Sequence, residues 1–225
     1  MRSRFVLIVL IFLSINGFAQ SLENVLNPGP KLYSGVVFGY NGGFGGQLNL
    51  TITNFQKDFP LSARFGIGYT AMEPGKSADA RRIFINNATN GTPEERGWMW
   101  NLNFDLLIPL SFLTNSHIYL GPRYSMFTAN FKYVGGNEDF DVTSNQFGLG
   151  GGLETQFPLV PNLYMVFSAG AEYFFEGTLK GHDTAYSPDG DDVNPREDYS
   201  YSDADEAVNQ PQILGRFMLG INYGF

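Results

Sequence analysis

The last ten residues of the chain, RFMLGINYGF, alternate between large apolar side chains and smaller or polar ones. Successive side chains of a β-strand point to opposite faces, so a period of two predicts a strand with one apolar face. The large residues on that face are Phe217, Leu219, Ile221, Tyr223 and Phe225. The alternation continues to the final Phe without a polar tail, so this strand must be compatible with an apolar environment.

The same alternation recurs along the chain and predicts eight strands. We place them at residues 32–41, 44–55, 61–72, 97–110, 117–133, 142–157, 163–177 and 212–225. Short connections alternate with longer ones, of which 73–96 and 178–209 are the longest, and only the short link between the first two strands breaks the order. Two distinct ends of this kind are typical of an outer-membrane barrel. We predict an all-β fold, an eight-stranded antiparallel up-and-down transmembrane β-barrel.

The first residues have the pattern of an export signal. Arg2 and Arg4 precede an apolar run at 5–13, and small residues lie before a predicted cleavage between Ala19 and Gln20. A membrane anchor is the alternative, but the run is shorter than the ~20 residues that a spanning helix needs. We therefore predict a signal peptide at 1–19, a periplasmic lead-in at 20–31 and the barrel at 32–225.

The strand pattern alone does not say which face points outward, because a soluble barrel has the same period with its apolar face inside. The residues on the second face decide, since a water-facing surface would be rich in Lys, Glu and Thr. Here glycine dominates that face, and small residues suit the cramped interior of an eight-stranded barrel. The glycines are Gly66, Gly68, Gly148, Gly150, Gly152, Gly170, Gly220 and Gly224.

The charged residues within the strands lie on the same small-residue face. They are three of each sign: Arg64, Asp105, Arg123, Glu154, Glu172 and Arg216. An arginine facing lipid at mid-bilayer would cost ~2–4 kcal/mol, whereas opposite charges inside the barrel can neutralise each other. We predict an interior charge network with the pairs Glu172–Arg216 and Asp105–Arg123, and with Arg64 and Glu154 nearby.

Aromatic residues mark the two expected membrane interfaces. Trp98 and Trp100 lie at the external end of the fourth strand, and Tyr223 and Phe225 lie at the opposite end of the last one. The final strand also resembles the C-terminal signal that the barrel-insertion machinery reads. Leu219, Ile221, Tyr223 and Phe225 occupy the positions of that pattern.

Across nearly all of the chain after residue 19, the pattern resembles the small outer-membrane β-barrels of the OmpA transmembrane-domain and OmpX type. The resemblance implies eight antiparallel strands, a closed polar interior without a wide channel, and external loops that move. It rests on pattern and not on a sharp motif. In one departure from the OmpA type, we expect no periplasmic domain after the barrel.

Charge and composition exclude several function classes. The net charge is −8, and residues 181–209 contain nine acidic residues against Arg196 alone. With no basic patch, a nucleic-acid partner is not expected, and without cysteine there is no thiol chemistry. We expect the acidic loop to be solvated and mobile. Asp189, Asp191 and Asp192 are its only candidate Ca²⁺ ligands, and they lack the spacing of an EF-hand, so we predict no metal site.

The two histidines allow an enzymatic alternative. His182 lies beside acidic residues in the 178–209 loop, where a rim-located outer-membrane enzyme would place its catalytic groups, and His117 is expected at the membrane interface near a short turn. No nucleophile motif or metal-spaced histidine pair accompanies them.

We therefore predict a non-enzymatic outer-membrane barrel without a cofactor, with a structural or interaction role through its external loops, or as an accessory subunit of an envelope complex. The alternative is a narrow channel for ions or small solutes. Expected partners are outer-membrane lipid and lipopolysaccharide, the insertion machinery, and a further envelope protein.

Overall fold

A computed structural model describes residues 30–54, 61–85 and 90–225. The predicted signal peptide, and all of the lead-in except Pro30 and Lys31, lie outside the described residues.

Eight long antiparallel strands close into a barrel, which confirms the predicted fold class. In chain order each strand pairs with the next, and the first pairs with the last, so the sheet has no free long edge. The strands are β1 (Lys31–Asn41), β2 (Phe44–Thr53), β3 (Ser62–Met72), β4 (Thr92–Pro109), β5 (Ser116–Val134), β6 (Asp139–Val160), β7 (Leu163–Phe174) and β10 (Ile213–Gly224).

The 178–209 connection contains its own secondary structure. Two short strands, β8 (Leu179–Lys180) and β9 (Ala185–Tyr186), pair with each other, and β8 also pairs with β6. Helix α1 (Ser77–Phe84) lies in the other long connection, and helix α2 (Tyr201–Ala207) precedes β10.

Neither helix of the described chain is long and apolar enough to cross a bilayer.

The barrel wall turns its large apolar side chains outward, as the glycine pattern predicts. Along β10, Phe217, Leu219 and Ile221 are exposed, while Arg216 and Met218 on the opposite face are buried inside. The same alternation holds around the wall, so an apolar belt surrounds a polar interior. Such a surface is stable in lipid and not in water.

Three neighbouring strands rise above the rest at the end with the long loops. Met72, the last residue of β3, pairs with Gly97, so residues 92–96 of β4 extend past it. β7 ends at Phe174 opposite Gly148, so the first residues of β6 also extend beyond their barrel neighbour. Together with the last part of β5 they form a three-stranded wall on one side of the barrel mouth. The sequence prediction began β4 five residues too late and β6 three residues too late.

The two faces of this wall exchange their character. On β5, Tyr124 and Met126 point outward within the barrel, but further along Phe127 and Phe131 point inward and are buried. On the outer face of the wall the polar residue Asn130 takes the place of the apolar belt and donates hydrogen bonds to Asp139 and Asp141 at 2.9 and 2.8 Å. The wall is thus built like a sheet in water, with its apolar face turned toward a core.

The two long connections fold onto the inner face of the wall, and we call residues 73–85 and 175–212 the cap. Its side chains share one core with the wall. Cap residues in this core are Ala80, Ile83, Phe84, Leu179, Tyr186, Ala204, Ala207 and Val208; the residues that β4, β5 and β6 contribute are Met99, Phe127, Ala129, Phe131, Tyr133, Phe140 and Val142.

The expectation of a solvated, mobile acidic loop is therefore wrong. The acidic side chains lie on the outside, while interspersed apolar residues reach the core: Tyr186 packs edge-to-face on Phe84 with ring centroids 5.6 Å apart. A backbone bridge between Gly75 and Val208 ties the two connections together. Burying these side chains offsets the entropy of ordering the loop.

Phe131→Ala is expected to unfold the cap and leave the barrel intact. Phe131 is fully buried in the cap core, so truncation should cost about 3–5 kcal/mol. Limited proteolysis of reconstituted protein should show new cleavage within 175–212, while the barrel keeps its heat-modifiable mobility on gels.

The matched control is Phe147→Ala, which removes the same side chain from the exposed belt. Equal protease resistance of the Phe131 variant and the parent would contradict a shared core.

Candidate functional site: the barrel interior and the cap

The six charged residues of the strands meet inside the barrel. Their side chains are at most 5% exposed. They form a single chain of alternating sign across six strands: Glu154, Arg64, Asp105, Arg123, Glu172 and Arg216.

Both predicted pairs are present in this chain. Arg123 Nη2 lies 2.7 Å from Asp105 Oδ1, and Arg216 Nη1 lies 3.7 Å from Glu172 Oε1. Arg64 Nη2 contacts Asp105 Oδ2 at 2.9 Å, and these residues are direct register partners on β3 and β4.

Two further contacts cross the lumen, and sequence reasoning missed them. Arg64 also pairs with Glu154 on β6, and Arg123 Nε on β5 donates to Glu172 Oε1 on β7 at 2.9 Å. Asn41 Nδ2 donates to the other oxygen of Glu172 at 2.9 Å. Face parity identifies which residues point inward, but it does not give distances across a barrel.

Glycines on the inner face make room for the longest interior side chains. A Cβ built on Gly150 would lie 2.5 Å from Arg123 Nε, so this glycine lets Arg123 reach over β6 to Glu172. A Cβ on Gly170 would lie 2.4 Å from the hydroxyl of Tyr119, whose ring lies 5.2 Å from the Arg64 guanidinium carbon. The glycine-rich face is therefore part of how the lumen is filled.

The network is neutral as a whole and has little contact with water. Buried ion pairs of this kind do not add much stability compared with apolar packing, but breaking one leaves an uncompensated buried charge. Its side chains occupy the middle of the lumen.

His117 also points into the barrel, which corrects the expected interfacial position. It lines a cavity of about 180 Å³ at the end with the short turns, together with Thr51, Gln156 and Tyr164. Ile118 is exposed in the apolar belt. Because adjacent side chains of a strand point to opposite faces, His117 points inward.

The acidic residues of the cap hold turns in place. Asp192 Oδ1 accepts a hydrogen bond from the backbone of Ser187 at 2.8 Å. Hydrogen bonds from the Ser187 side chain and the Asp191 backbone hold the pKa of Asp189 below its usual value. Within residues 30–54, 61–85 and 90–225, no three His, Cys, Asp or Glu side chains converge as metal ligands would. The candidate Ca²⁺ ligands are therefore not brought together.

His182 is on the cap surface. Its Nδ1 lies 2.9 Å from Asp183 Oδ1, and the two side chains are 74% and 78% exposed. A catalytic group would need partners that position it in a sheltered site, which this surface pair does not provide.

Helix α2 is fixed at its start and along its inner side. The backbone N–H of Ser200 donates to Asp203 Oδ2 at 2.9 Å, and hydrogen bonds from Ser200 lower the pKa of Asp203. The Tyr201 hydroxyl donates to the carbonyl of Gly177 and accepts from Gln210 Nε2. Burial raises the pKa of Tyr201 to about 12, so this hydroxyl remains a donor at ordinary pH.

The aromatic residues assigned to the interfaces point away from the interior. Trp100 is exposed and packs on Tyr69 with centroids 5.1 Å apart, while Trp98 is half-buried. At the other end Tyr223 and Phe225 pack edge-to-face at 5.2 Å. Their roles in a membrane girdle stay predictions.

Arg123→Met is expected to destabilise the barrel strongly. It would leave Asp105 and Glu172 buried without their shared cation, at a cost of about 3–5 kcal/mol. Heat-induced unfolding in detergent, followed by gel mobility, should shift to lower temperature.

The same change at Arg96 is the control, because its pair with Glu94 is long, at 3.9 Å, and solvent-exposed. An exposed pair contributes about 0–1 kcal/mol. Similar unfolding temperatures for the two variants would show that the interior network does not support the barrel.

Known structures share this fold. No family model and no curated protein matches the chain. A major outer membrane protein from Thermus thermophilus is 26% identical, with a TM-score of 0.69 covering 87% of this chain and 99% of that one. Ail, the attachment invasion locus protein of Yersinia pestis, is 15% identical with a TM-score of 0.44, covering 87% and 97%. Neisserial surface protein A is 12% identical with a TM-score of 0.40, covering 87% and 97%.

The first of these similarities and the apolar belt lead to the same conclusion. The chain is a β-barrel of the bacterial outer membrane.

Proposed function

We propose that the protein is a closed, non-enzymatic barrel that presents a folded cap at the cell surface as its interaction surface. The observation that carries this proposal is the double obstruction of the lumen. The interior network fills the middle of the barrel, and the cap core lies over its external mouth.

The folded cap supports an interaction role over a purely passive one. Its helices and strands are ordered against the wall before any partner binds, so binding would cost little conformational entropy. The acidic side chains are left on its outer surface, where they can select partners by charge. A further envelope protein and lipopolysaccharide remain the proposed partners.

The channel alternative requires a path that these side chains obstruct. An eight-stranded barrel is only wide enough to be filled by its interior side chains, and here those side chains include long arginines that cross the lumen. No described feature favours conduction.

Single-channel recording tests the proposal directly. The purified protein in planar bilayers is expected to give no steady conductance. A cap variant, Phe131→Ala, should also stay closed, because the network lies below the cap. Steady ohmic conductance of the unmodified protein, with a detergent-only control silent, would contradict the proposal in favour of the channel.

The insertion machinery is a third proposed partner, through the C-terminal pattern at Leu219, Ile221, Tyr223 and Phe225. Phe225→Ala is expected to slow assembly in membranes that contain this machinery, measured as the rate of appearance of the heat-modifiable form. In pure lipid vesicles without the machinery its folding should match that of the parent.

Phe157→Ala is the control, because Phe157 is also an exposed phenylalanine toward the end with the short turns. If the assembly rate falls equally in both variants, Phe225 acts only as an apolar belt residue.

A further inference from the structure

A cleft of about 460 Å³ opens at the external rim, on the side of the mouth opposite the raised wall. It lies between the β1–β2 turn, which contains Gly42, and the segment that joins α2 to β10. The rim is low here because the β1–β2 hairpin is tight and neither strand extends beyond the barrel. The cleft therefore lies at the level where the apolar belt meets the polar cap.

The lipid-facing side of the cleft is apolar and indented. Tyr40 and Ile213 are 44% and 75% exposed, and both belong to the belt. Between them Gly215 faces outward, and a Cβ built on it would meet nothing within 4 Å. Its register partner on β7 is Ala171, another small residue. The outer surface of the barrel thus has a notch at Gly215 of the kind that an acyl chain can fill.

The cap side of the cleft is polar and carries no cation. Asp205 is held by two amides, Gln210 Nε2 at 2.5 Å and Gln212 Nε2 at 2.9 Å. Asn209, which also lines the cleft, donates to the carbonyl of Glu73. Asp205 is the only charged residue of the lining, which contains no lysine or arginine. This surface suits hydroxyl groups, and its carboxylate repels phosphate.

Because the cleft is apolar on its lipid-facing side and polar on its cap side, we propose that it binds an outer-leaflet glycolipid. An acyl chain lies in the notch at Gly215, and hydroxyls of an uncharged sugar donate to Asp205. Ionised carboxylates are acceptors only, and each oxygen can accept more than one hydrogen bond, so Asp205 can bind a sugar while keeping its two amides. The site adds an uncharged glycolipid to the proposed partners; it rests on the proposal that the cap faces the cell surface and does not depend on whether the barrel conducts.

Native mass spectrometry of protein released from nanodiscs tests this assignment. The probes are digalactosyl diacylglycerol and phosphatidylglycerol with identical acyl chains, supplied in equal amounts. The protein is expected to retain the digalactosyl lipid about tenfold more often. Equal retention of the two lipids would overturn the proposal.

Two variants place the binding in the cleft. Gly215→Leu fills the notch without backbone strain, and Gln212→Leu removes an exposed amide that positions Asp205; both should lower retention to the phosphatidylglycerol level. The control is Ala63→Leu, at an outward position near the end of the barrel with the short turns, and this variant should retain lipid like the parent. Unchanged retention in both cleft variants would overturn the site.

A final arm separates a lipid from a soluble sugar. Free digalactose without acyl chains is expected to compete weakly, because the notch contributes to binding. Full competition at the same concentration would show that the occupant is a sugar and not a lipid, and it would leave the closed-barrel proposal untouched.

Discussion

The structure depends on one constraint: the strands that extend beyond the barrel must place their apolar side chains in lipid along one part of their length and in a protein core along the other. Within the bilayer the apolar face must point outward, because lipid surrounds the barrel. Above the bilayer the same face must turn away from water. The side chains of a strand alternate between its two faces along its whole length, so the apolar residues of the sequence must move from one set of alternate positions to the other. On β5 this change occurs between Met126, in the outer belt, and Phe127, in the cap core.

The phase change explains why the cap exists. An extended three-stranded wall with an apolar inner face would expose Phe131, Tyr133 and Val142 to water if nothing covered it. The two long connections supply the missing layer, through α1, α2 and the β8–β9 pair. Sheet and helices then form a small core outside the membrane, on top of a barrel whose own interior is polar.

The interior follows the opposite logic. Small residues on the inner face would leave the lumen empty, and long charged side chains from several strands fill it. Arg64 and Arg123 each contact two carboxylates. In the middle of the ion-pair network, each charged group is therefore shared between two groups of opposite charge. Because the charges balance, the lumen can be dense without a net buried charge. The closed barrel and its packed cap then form one body, which is what the proposed role as an interaction surface requires.

Period-two alternation predicted the strands and placed the six strand charges on one face, and the glycine-rich composition of that face predicted that it points into the barrel. It also predicted the pairs on adjacent strands, such as Glu172 with Arg216. The cross-lumen contacts, the inward position of His117 and the folded cap were missed. The relevant signals were present: the shift of apolar residues from Met126 to Phe127, and Tyr186, Tyr199 and Tyr201 within a loop that its acidic residues dominate.

What the sequence determines by itself is which side of each strand faces lipid, because that follows from covalent geometry and local order. Which interior groups touch, and whether an acidic loop is solvated or packed, depends on residues far apart in the chain. Arg123 reaches Glu172 only because Gly150 lies between them, and Phe84 meets Tyr186 only once both connections have folded onto the wall. Tertiary structure decides these contacts because distances across a closed barrel are set by closure and not by spacing along a strand.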